Sequence, residues 1–378
     1  MRIVYFTDTR EIGGAERNLI DMAQAATAAG HEVLLGAPQA QLVAWLREQA
    51  PGARVETVAD DDYFDARDAP GRAARLSLAF GALVRWLASI SPDLLHVNNG
   101  GFPGSDLCRL APFAGRLARV PRRLMTVHSN PWERERLSTP ALQSLADRIV
   151  WANVEAVLCP SDSVARGLIR ARGMPRSLVR HLHYGVPEPP QDPTAVAEIR
   201  GRLAPNGELL VGLVSARPVA SKGYDVFVDA LGLVRGAVRG AIVGPVPLGL
   251  EDRIARRELG DRLALEGRQP RVGSFFGACD ALAVPSTAEE CMPLVILEAM
   301  ASGTAVFAAR LSGLPEAVED GRTGRIFSPG AADQLAALLD ESAEDREPLA
   351  RMGAAGRERW SRFFTPERMA AGLLALYG

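Results

Sequence analysis

Short runs of Val, Ile, Leu and Ala recur along the chain, each followed by a Gly, Ser or Asn break. After each break comes a longer Ala/Leu/Arg stretch whose apolar positions repeat every three to four residues. In the first half the runs predict strands at Arg2–Phe6, Glu32–Gly36, Val55–Val58, Leu94–Val97, Arg123–Val127, Ala156–Cys159 and Leu178–His183. Stretches between them, such as Ala15–Ala29, Ala73–Ser89 and Ser161–Arg172, predict helices. In Ala15–Ala29 one face is built from Leu19, Ile20, Met22, Ala23 and Ala26, and Gly30 stands where a helix ends. Strands that alternate with helices form βαβ units, which require a parallel sheet covered on both faces.

The segment Gly185–Pro193 (GVPEPPQDP) carries four prolines in nine residues, which neither a helix interior nor a central strand tolerates, and it reads as a linker. The pattern then restarts. Strands are predicted at Leu209–Val214, Gly240–Val243, Leu263–Glu266, Ala281–Val284, Thr304–Ala308 and Gly324–Phe327, with helices at Tyr224–Arg235, Leu294–Ala301 and Ala331–Leu339. Met352–Tyr377 is helical with a break near Phe363–Pro366. The expected architecture is therefore two doubly wound parallel-sheet domains, with ligands at the carboxyl ends of the strands in a cleft between them.

Composition narrows the function. With 378 residues, 47% of them hydrophobic and 23% charged, the chain can bury real cores and is not a disordered polymer. Forty-three basic against 45 acidic residues leave a net charge of −2, which excludes nucleic acid as the main partner. Cys108, Cys159, Cys279 and Cys291 lack CxxC or CxxH spacing, so neither a disulfide framework nor a structural zinc site is expected, and a reducing cytoplasm fits. The opening MRIVYFTDTR has an apolar run too short for a signal peptide, and no window of about 18 uncharged apolar residues occurs. A soluble cytoplasmic protein is the expectation.

Candidate chemistry lies in three loops. The first strand leads into Gly13-Gly14-Ala15-Glu16, which opens a helix. Two glycines there let a ligand approach the amides of a helix start, or they simply make a tight βα turn. In the second half, Leu209–Val214 leads to Arg217 and then to Lys222-Gly223, again opening a helix. Arg217 and Lys222 can reach one polyanion, the first as a fork and the second as a point charge. Lys222 is the only lysine among the 43 basic residues, so a site that keeps an ammonium here, against a strong arginine bias, points to function.

The third loop is the densest signal. A strand ends at Pro285, Pro293 suits the first turn of the following helix, and Gly303 closes that helix. Glu290 lies in the loop and Glu298, with seven residues between them, inside an otherwise apolar helix. The amides of Leu294 and Val295 point from the helix start towards an anion. Glu298 sits among Ile296, Leu297, Ala299 and Met300, where an unpaired carboxylate is costly, so it needs donors such as ribose or sugar hydroxyls.

Together these motifs resemble the retaining glycosyltransferases of family 4, with the two-domain GT-B fold: Gly13-Gly14-Ala15-Glu16, Asp93-Leu94-Leu95-His96-Val97, Thr126-Val127-His128, Tyr184-Gly185-Val186, Arg217 with Lys222-Gly223, Glu290-x7-Glu298 and Gly313-Leu314-Pro315-Glu316. The resemblance covers nearly the whole chain. It implies an α/β GT-B architecture: a Rossmann-like acceptor-side domain at 1–187, a linker at 188–193, a nucleotide-sugar domain at 194–363, and a C-terminal helix at 365–378 crossing back to the first domain. It further implies a UDP- or GDP-sugar donor. Arg217 and Lys222, with the backbone of Gly13 and Gly14 and the amides of Leu294 and Val295, would hold the diphosphate. Glu298 would take the ribose hydroxyls. Glu290, with the backbone of Cys291 and Met292, would grip the sugar. His128 would lie beside the sugar or the reacting centre, and Arg268 near the base. Transfer would proceed with retention by front-face displacement, without a metal and without a cofactor beyond the donor. Double displacement through Glu290 is the lower-ranked route. The loop Cys291-Met292-Pro293, where the family is glycine-rich, Tyr184, where Asn is frequent, and Ser129-Asn130, where Asp is frequent, leave the sugar open.

Two rivals share the architecture: a sugar-nucleotide epimerase or hydrolase, and a silent sugar-nucleotide-binding protein. Asp60-Asp61-Asp62 reads as a solvated loop rather than a metal motif. His96 reads equally as a ligand contact or a satisfied core histidine. Between Arg67 and Arg136, eleven arginines face five acids, a local excess of six (11 − 5) that includes Arg116, Arg119, Arg122 and Arg123. That stretch is either an acceptor or membrane-surface patch, the latter placing the enzyme peripherally on the cytoplasmic face, or a set of solvated helix faces.

Overall fold

In the computed structural model, residues 1–9, 12–58, 69–131, 140–269 and 272–378 are described. They divide into two compact units, Met1–Gly185 with Met369–Gly378, and Val186–Arg368.

The first unit runs β1 (Arg2–Thr7), α1 (Gly14–Ala28), β2 (Glu32–Ala37), α2 (Ala40–Gln49), β3 (Arg54–Thr57), α3 (Ala69–Ile90), β4 (Leu94–Asn99), α4 (Asp106–Leu117), β5 (Arg122–Val127), α5 (Pro140–Trp151), β6 (Ala156–Cys159), α6 (Asp162–Arg172) and β7 (Val179–His181). The second continues with α7 (Pro193–Leu203), β8 (Leu209–Val214), α8 (Tyr224–Leu233), β9 (Val238–Val243), α9 (Leu250–Arg256), β10 (Leu263–Gly267), α10 (Val272–Ala278) and β11 (Ala281–Val284). It ends with α11 (Leu294–Ala301), β12 (Ala305–Ala309), α12 (Leu314–Ala317), β13 (Gly324–Phe327), α13 (Ala332–Glu344), α14 (Glu347–Phe363) and α15 (Pro366–Tyr377).

Among the described residues, each unit holds one parallel sheet, in the order β3-β2-β1-β4-β5-β6-β7 and β10-β9-β8-β11-β12-β13. The predicted strands thus assemble into two doubly wound sheets. Each sheet reverses its winding once: between β1 and β4, whose register pairs Tyr5 with His96, and between β8 and β11, whose register pairs Val211 with Ala281. The carboxyl ends of these two strand pairs are where an open α/β sheet takes its ligands.

Burial explains why strands such as β6, β11 and β12 read as unbroken apolar runs. All of β4, β6, β11 and β12 is buried, as a sheet covered on both faces demands. In the first unit one face packs on α1, α2 and the tail of α15, through Leu19, Met22, Leu42, Leu46, Met369, Leu373 and Tyr377. In the second, α8, α9 and α13 cover one face, and α7 with α10 packs Leu203 and Phe275 on the other. Helix starts are set locally. Ser105 caps α4 by accepting from the Leu107 and Cys108 amides, Ser161 caps α6, and Asp192 caps α7 by accepting from the Thr194 amide.

The linker reading needs one correction. No helix or strand lies between β7 and α7, but Pro193 is the first residue of α7 rather than the end of a linker. Its missing N–H costs nothing at that position, so Asp192-Pro193 is a helix start. One helix bears on membrane topology. Among the described residues one helix, Ala73–Ile90, is long and apolar enough by length and composition to cross a membrane, although it contains Arg75 and Arg85. It is the crossover from β3 to β4, two strands of one sheet, and that connection ties both of its ends to the unit.

Candidate donor and acceptor sites

The loop after β8 is shaped by its own backbone. Ser215 Oγ donates to the Arg217 carbonyl at 3.0 Å, and Tyr224 Oη reaches the carbonyls of Arg217 at 3.2 Å and Pro245 at 3.0 Å. A 3₁₀ turn, Ala220–Lys222, then delivers Lys222, and Gly223 takes the left-handed conformation at φ 76°. A Cβ on Gly223 would lie 1.8 Å from the Pro285 carbonyl oxygen, so only glycine lets this loop press against the one that follows β11. The Thr287 amide donates to the Ser221 carbonyl at 2.8 Å and completes the seam.

Across that seam the site's charges meet. Lys222 Nζ lies 2.8 Å from Glu290 Oε2, with side chains 24% and 15% exposed. Ser286 Oγ donates to Glu290 Oε1, and the Gly313 amide donates to the Glu290 carbonyl at 3.1 Å. The sequence nominates Lys222 and Glu290 separately; the structure joins them and adds Ser286, which the sequence reading missed. A signal existed: a hydroxyl two residues beyond a buried strand's carboxyl end.

The remaining nominated residues of the second unit surround this pair along the chain. Arg217 carries an exposed side chain on the loop after β8, and Arg268 is exposed just past β10. Cys291 and Met292 are buried, and Pro293 stands immediately before α11 rather than in its first turn. Leu294 and Val295 open α11, whose first amides have no carbonyl one turn back to bond. Glu298 is half-buried one turn further, between the buried pairs Ile296-Leu297 and Ala299-Met300.

In the first unit the Gly13-Gly14 turn is partly spoken for. Glu16 is buried and folds back so that its Oε2 accepts from the Gly13 amide at 2.8 Å, the one half of a capping box that a glycine N-cap allows. His128, just past β5, is buried with both ring nitrogens engaged: Nε2 lies 2.6 Å from Asn98 Oδ1 and Nδ1 lies 2.8 Å from Tyr184 Oη. Asn98 Nδ2 donates to the Ala15 carbonyl at 3.3 Å, which leaves its oxygen as an acceptor. The proton of His128 therefore sits on Nε2, and Tyr184 donates to Nδ1. Burial lowers the His128 pKa to about 3, so the ring is neutral.

His96 is settled as a core histidine. It lies 2.7 Å from both Tyr377 Oη and Thr126 Oγ1, stacks on Tyr5, and is held at about 3 by burial and then by the charge of His128. Tyr5 Oη in turn lies 2.7 Å from Tyr377 Oη, which locks α15 into this core.

The arginine-rich stretch is smaller as a surface than its count implies. Arg109 is half-buried and paired with Asp147 at 2.7 Å, Arg122 binds Glu155 and the carbonyls of Leu376 and Tyr377, and Arg123 binds the carbonyls of Val120 and Asn153. Arg75, Arg85, Arg116 and Arg119 remain exposed. Arg67, Arg134, Arg136 and Asp60-Asp61-Asp62 lie outside the described residues. Among the described residues no group of three or more His, Cys, Asp or Glu side chains could hold a metal ion, and the four cysteines are buried free thiols.

Comparison with known proteins bears on both units. A family described as Glycosyl transferases group 1 matches residues 195–359, and one described as Glycosyltransferase Family 4 matches residues 12–188. The GDP-mannose-dependent alpha-(1-6)-phosphatidylinositol monomannoside mannosyltransferase of Mycobacterium tuberculosis is 30% identical over 271 residues, 67% of this chain and 68% of the relative. The D-inositol 3-phosphate glycosyltransferase of Streptomyces avermitilis is 31% identical over 235 residues, 57% of this chain; there the match spans half of the relative's length. Among solved structures, Anabaena HepE in complex with UDP superposes with a TM-score of 0.83 at 22% identity, covering 100% of this chain and 99% of that one. Sucrose-phosphate synthase from Thermosynechococcus elongatus gives 0.74 at 20% identity, covering 100% and 98%.

Proposed function

The chain belongs to the family 4-type glycosyltransferases of GT-B fold, and from that premise we propose that it transfers a hexosyl group from a UDP- or GDP-sugar to an acceptor hydroxyl with retention of configuration. The observation that carries this reading is the Lys222–Glu290–Ser286 cluster at the point where the second sheet reverses its winding. A cation and a fixed carboxylate side by side suit a ligand that is itself an anion joined to a polyol.

Breaking a glycosyl–phosphate bond builds positive charge at the anomeric carbon and negative charge on the departing diphosphate. Arg217, Lys222 and the first amides of α11 at Leu294 and Val295 would bind that negative charge, which grows towards the transition state. Gly13 and Gly14 would add backbone amides, less the Gly13 N–H already taken by Glu16. Glu298 would accept from the ribose hydroxyls, Arg268 would face the base, and Glu290 with the Cys291 and Met292 backbone would hold the sugar. The acceptor's proton would pass to a diphosphate oxygen as the new glycosidic bond forms on the face the leaving group vacates. Neutral His128, with both nitrogens bonded, would shape the site rather than carry that proton. No metal or resident cofactor enters this scheme. Two named similarities support it: a GDP-mannose-dependent mannosyltransferase among the relatives and HepE in complex with UDP among the structures. We place the enzyme in the cytoplasm, acting on a glycan, lipid-linked or small-molecule acceptor, with a peripheral membrane contact through the exposed arginines of α3 and α4.

Thermal shift and calorimetry with UDP, GDP, ADP and TDP test the reading. A diphosphate at a hundredfold its dissociation constant should stabilise the chain by about 2.7 kcal/mol. Lys222→Ala should keep the fold and lose turnover on the order of 10²–10³-fold, the scale of one preorganised donor. No stabilisation by any of the four nucleotides, or undiminished turnover in Lys222→Ala, would refute it. Release of free or epimerised sugar without an acceptor would favour a hydrolase or epimerase instead.

A further inference from the structure

Ser286 is fully buried, and its backbone is clamped on both sides. Pro285 before it presses its carbonyl on Gly223, and Thr287 after it donates to the Ser221 carbonyl at 2.8 Å. The seam between the loops that follow β8 and β11 therefore fixes where its Cβ stands, and full burial restricts its Oγ to a staggered position that packing allows. That Oγ donates to Glu290 Oε1, while Lys222 occupies Oε2 at 2.8 Å. Each carboxylate oxygen has two acceptor positions, so one remains on each. Two adjacent hydroxyls of a sugar ring match two parallel acceptors of that kind.

The two anchors of Glu290 are unequal. Lys222 is a flexible ammonium whose side chain is 24% exposed, so a bound diphosphate would compete with Glu290 for it. Ser286 has no such freedom. We infer that Ser286 is a positioning residue for the donor sugar: it holds the Glu290 carboxylate in the orientation that accepts two neighbouring sugar hydroxyls once Lys222 has turned to the diphosphate. This rests on the glycosyltransferase reading above and names the part of it that distinguishes a sugar nucleotide from a bare nucleotide. Without Ser286 the carboxylate is free to rotate about its terminal torsion towards Lys222, and the hydroxyls lose their aligned partner.

The readout is the sugar increment: the ratio of the dissociation constants of the diphosphate and of its sugar nucleotide. It is measured by calorimetry with UDP against UDP-glucose and with GDP against GDP-mannose. In the wild type one of these sugars should tighten binding. Ser286→Ala should hold the free diphosphate as the wild type does and lose the increment by roughly tenfold to a hundredfold, the worth of a hydrogen bond to a charged group. Ser286→Cys, similar in size with a weaker donor, should lose part of it, and serves alone if Ser286→Ala does not fold. Added to Glu290→Gln, Ser286→Ala should change the increment no further. An increment unchanged in the serine variants overturns the inference, as does an equal loss for diphosphate and sugar nucleotide, or a wild type that binds a diphosphate but gains nothing from either sugar. A wild type that binds neither diphosphate overturns instead the reading beneath it.

Discussion

Acidification is the perturbation whose effect on the first unit can be worked out from its buried groups. His96 and His128 titrate near 6.5 in an unfolded chain and near 3 when folded, because burial penalises their charged forms. Below about pH 6.5 the unfolded chain binds two protons that the folded one refuses. The stability these rings contribute is therefore complete above 6.5 and drains away as pH falls towards 3, at about 1.4 kcal/mol per pH unit for each ring. Asp21 works in the opposite sense. Burial raises its pKa to about 6, partly offset by Arg17, so between pH 6 and its ordinary value of about 3.9 the folded chain keeps a proton the unfolded chain releases. Integrating the three from pH 7 to 4.5 gives a loss of about 5 kcal/mol from the histidines, offset by about 2 from Asp21, hence a net loss of about 3. Urea unfolding at half-unit steps should show it, and Asp21→Asn should steepen it to about 5 kcal/mol. The direct assay follows the five histidine ring resonances by NMR: two of them should stay fixed from pH 7 to 4.5. A His128 ring that titrates near 6.5, or a stability that rises on acidification, would refute the hydrogen-bond assignment at Asn98 and Tyr184.

Two further outcomes follow from the seam and the surface. Gly30 and Gly223 both have positive φ, at 83° and 76°, but only Gly223 faces an obstacle within 4 Å. Gly30→Ala should cost about 1 kcal/mol of backbone strain, whereas Gly223→Ala should cost more, through the Pro285 clash, and also weaken nucleotide binding; equal melting shifts would count against the seam. On α3, α4 and α5, Leu78, Leu117, Leu145 and Ile149 are exposed beside Arg85, Arg116 and Arg148, so anionic vesicles should co-sediment the chain and neutral ones should not. Recovery in the supernatant with both, alongside activity on a soluble acceptor, would remove the membrane contact.

The strands were legible because a sheet covered on both faces needs uninterrupted apolar runs, and Leu209–Val214, Ala281–Val284 and Ala156–Cys159 offer them with clear boundaries. Where polar residues enter, the ends blur. β9 starts at Val238, two residues before the Gly240 that the apolar run suggests, because Arg239 joins the ladder while its guanidinium turns to Glu208. α7 was hidden by the prolines that surround its Asp192 cap. At the candidate site of the second unit, Lys222 and Glu290 were each visible by residue type and loop position. Their pairing was not, since it joins residues 68 apart and depends on β8 lying beside β11, a strand order that alternation alone does not fix. Ser286 carried a weak signal, a hydroxyl two residues past a buried strand, but its bond to Glu290 depends on how the loop folds back and is not written in the sequence. The surroundings of His128 likewise depend on Asn98 and Tyr184, which are 30 and 56 residues away in sequence.

The two sheets solve the same problem at their points of reversal with different charge. After β1, Asp8 is buried and accepts from Ser105 Oγ, at the start of α4, and from Gln39 Nε2, at the start of α2. After β11, Glu290 accepts from Ser286 Oγ and from Lys222 Nζ. In each unit a serine hydroxyl orients a carboxylate at the carboxyl ends of the strands. The second partner differs, a neutral amide in the first unit and an ammonium in the second. An ammonium balances the Glu290 charge at 2.8 Å, so the second sheet brings a carboxylate and a cation to one point. On the function proposed above, a departing diphosphate would draw on that cation, and the loss of turnover expected of Lys222→Ala is the measurement that checks it.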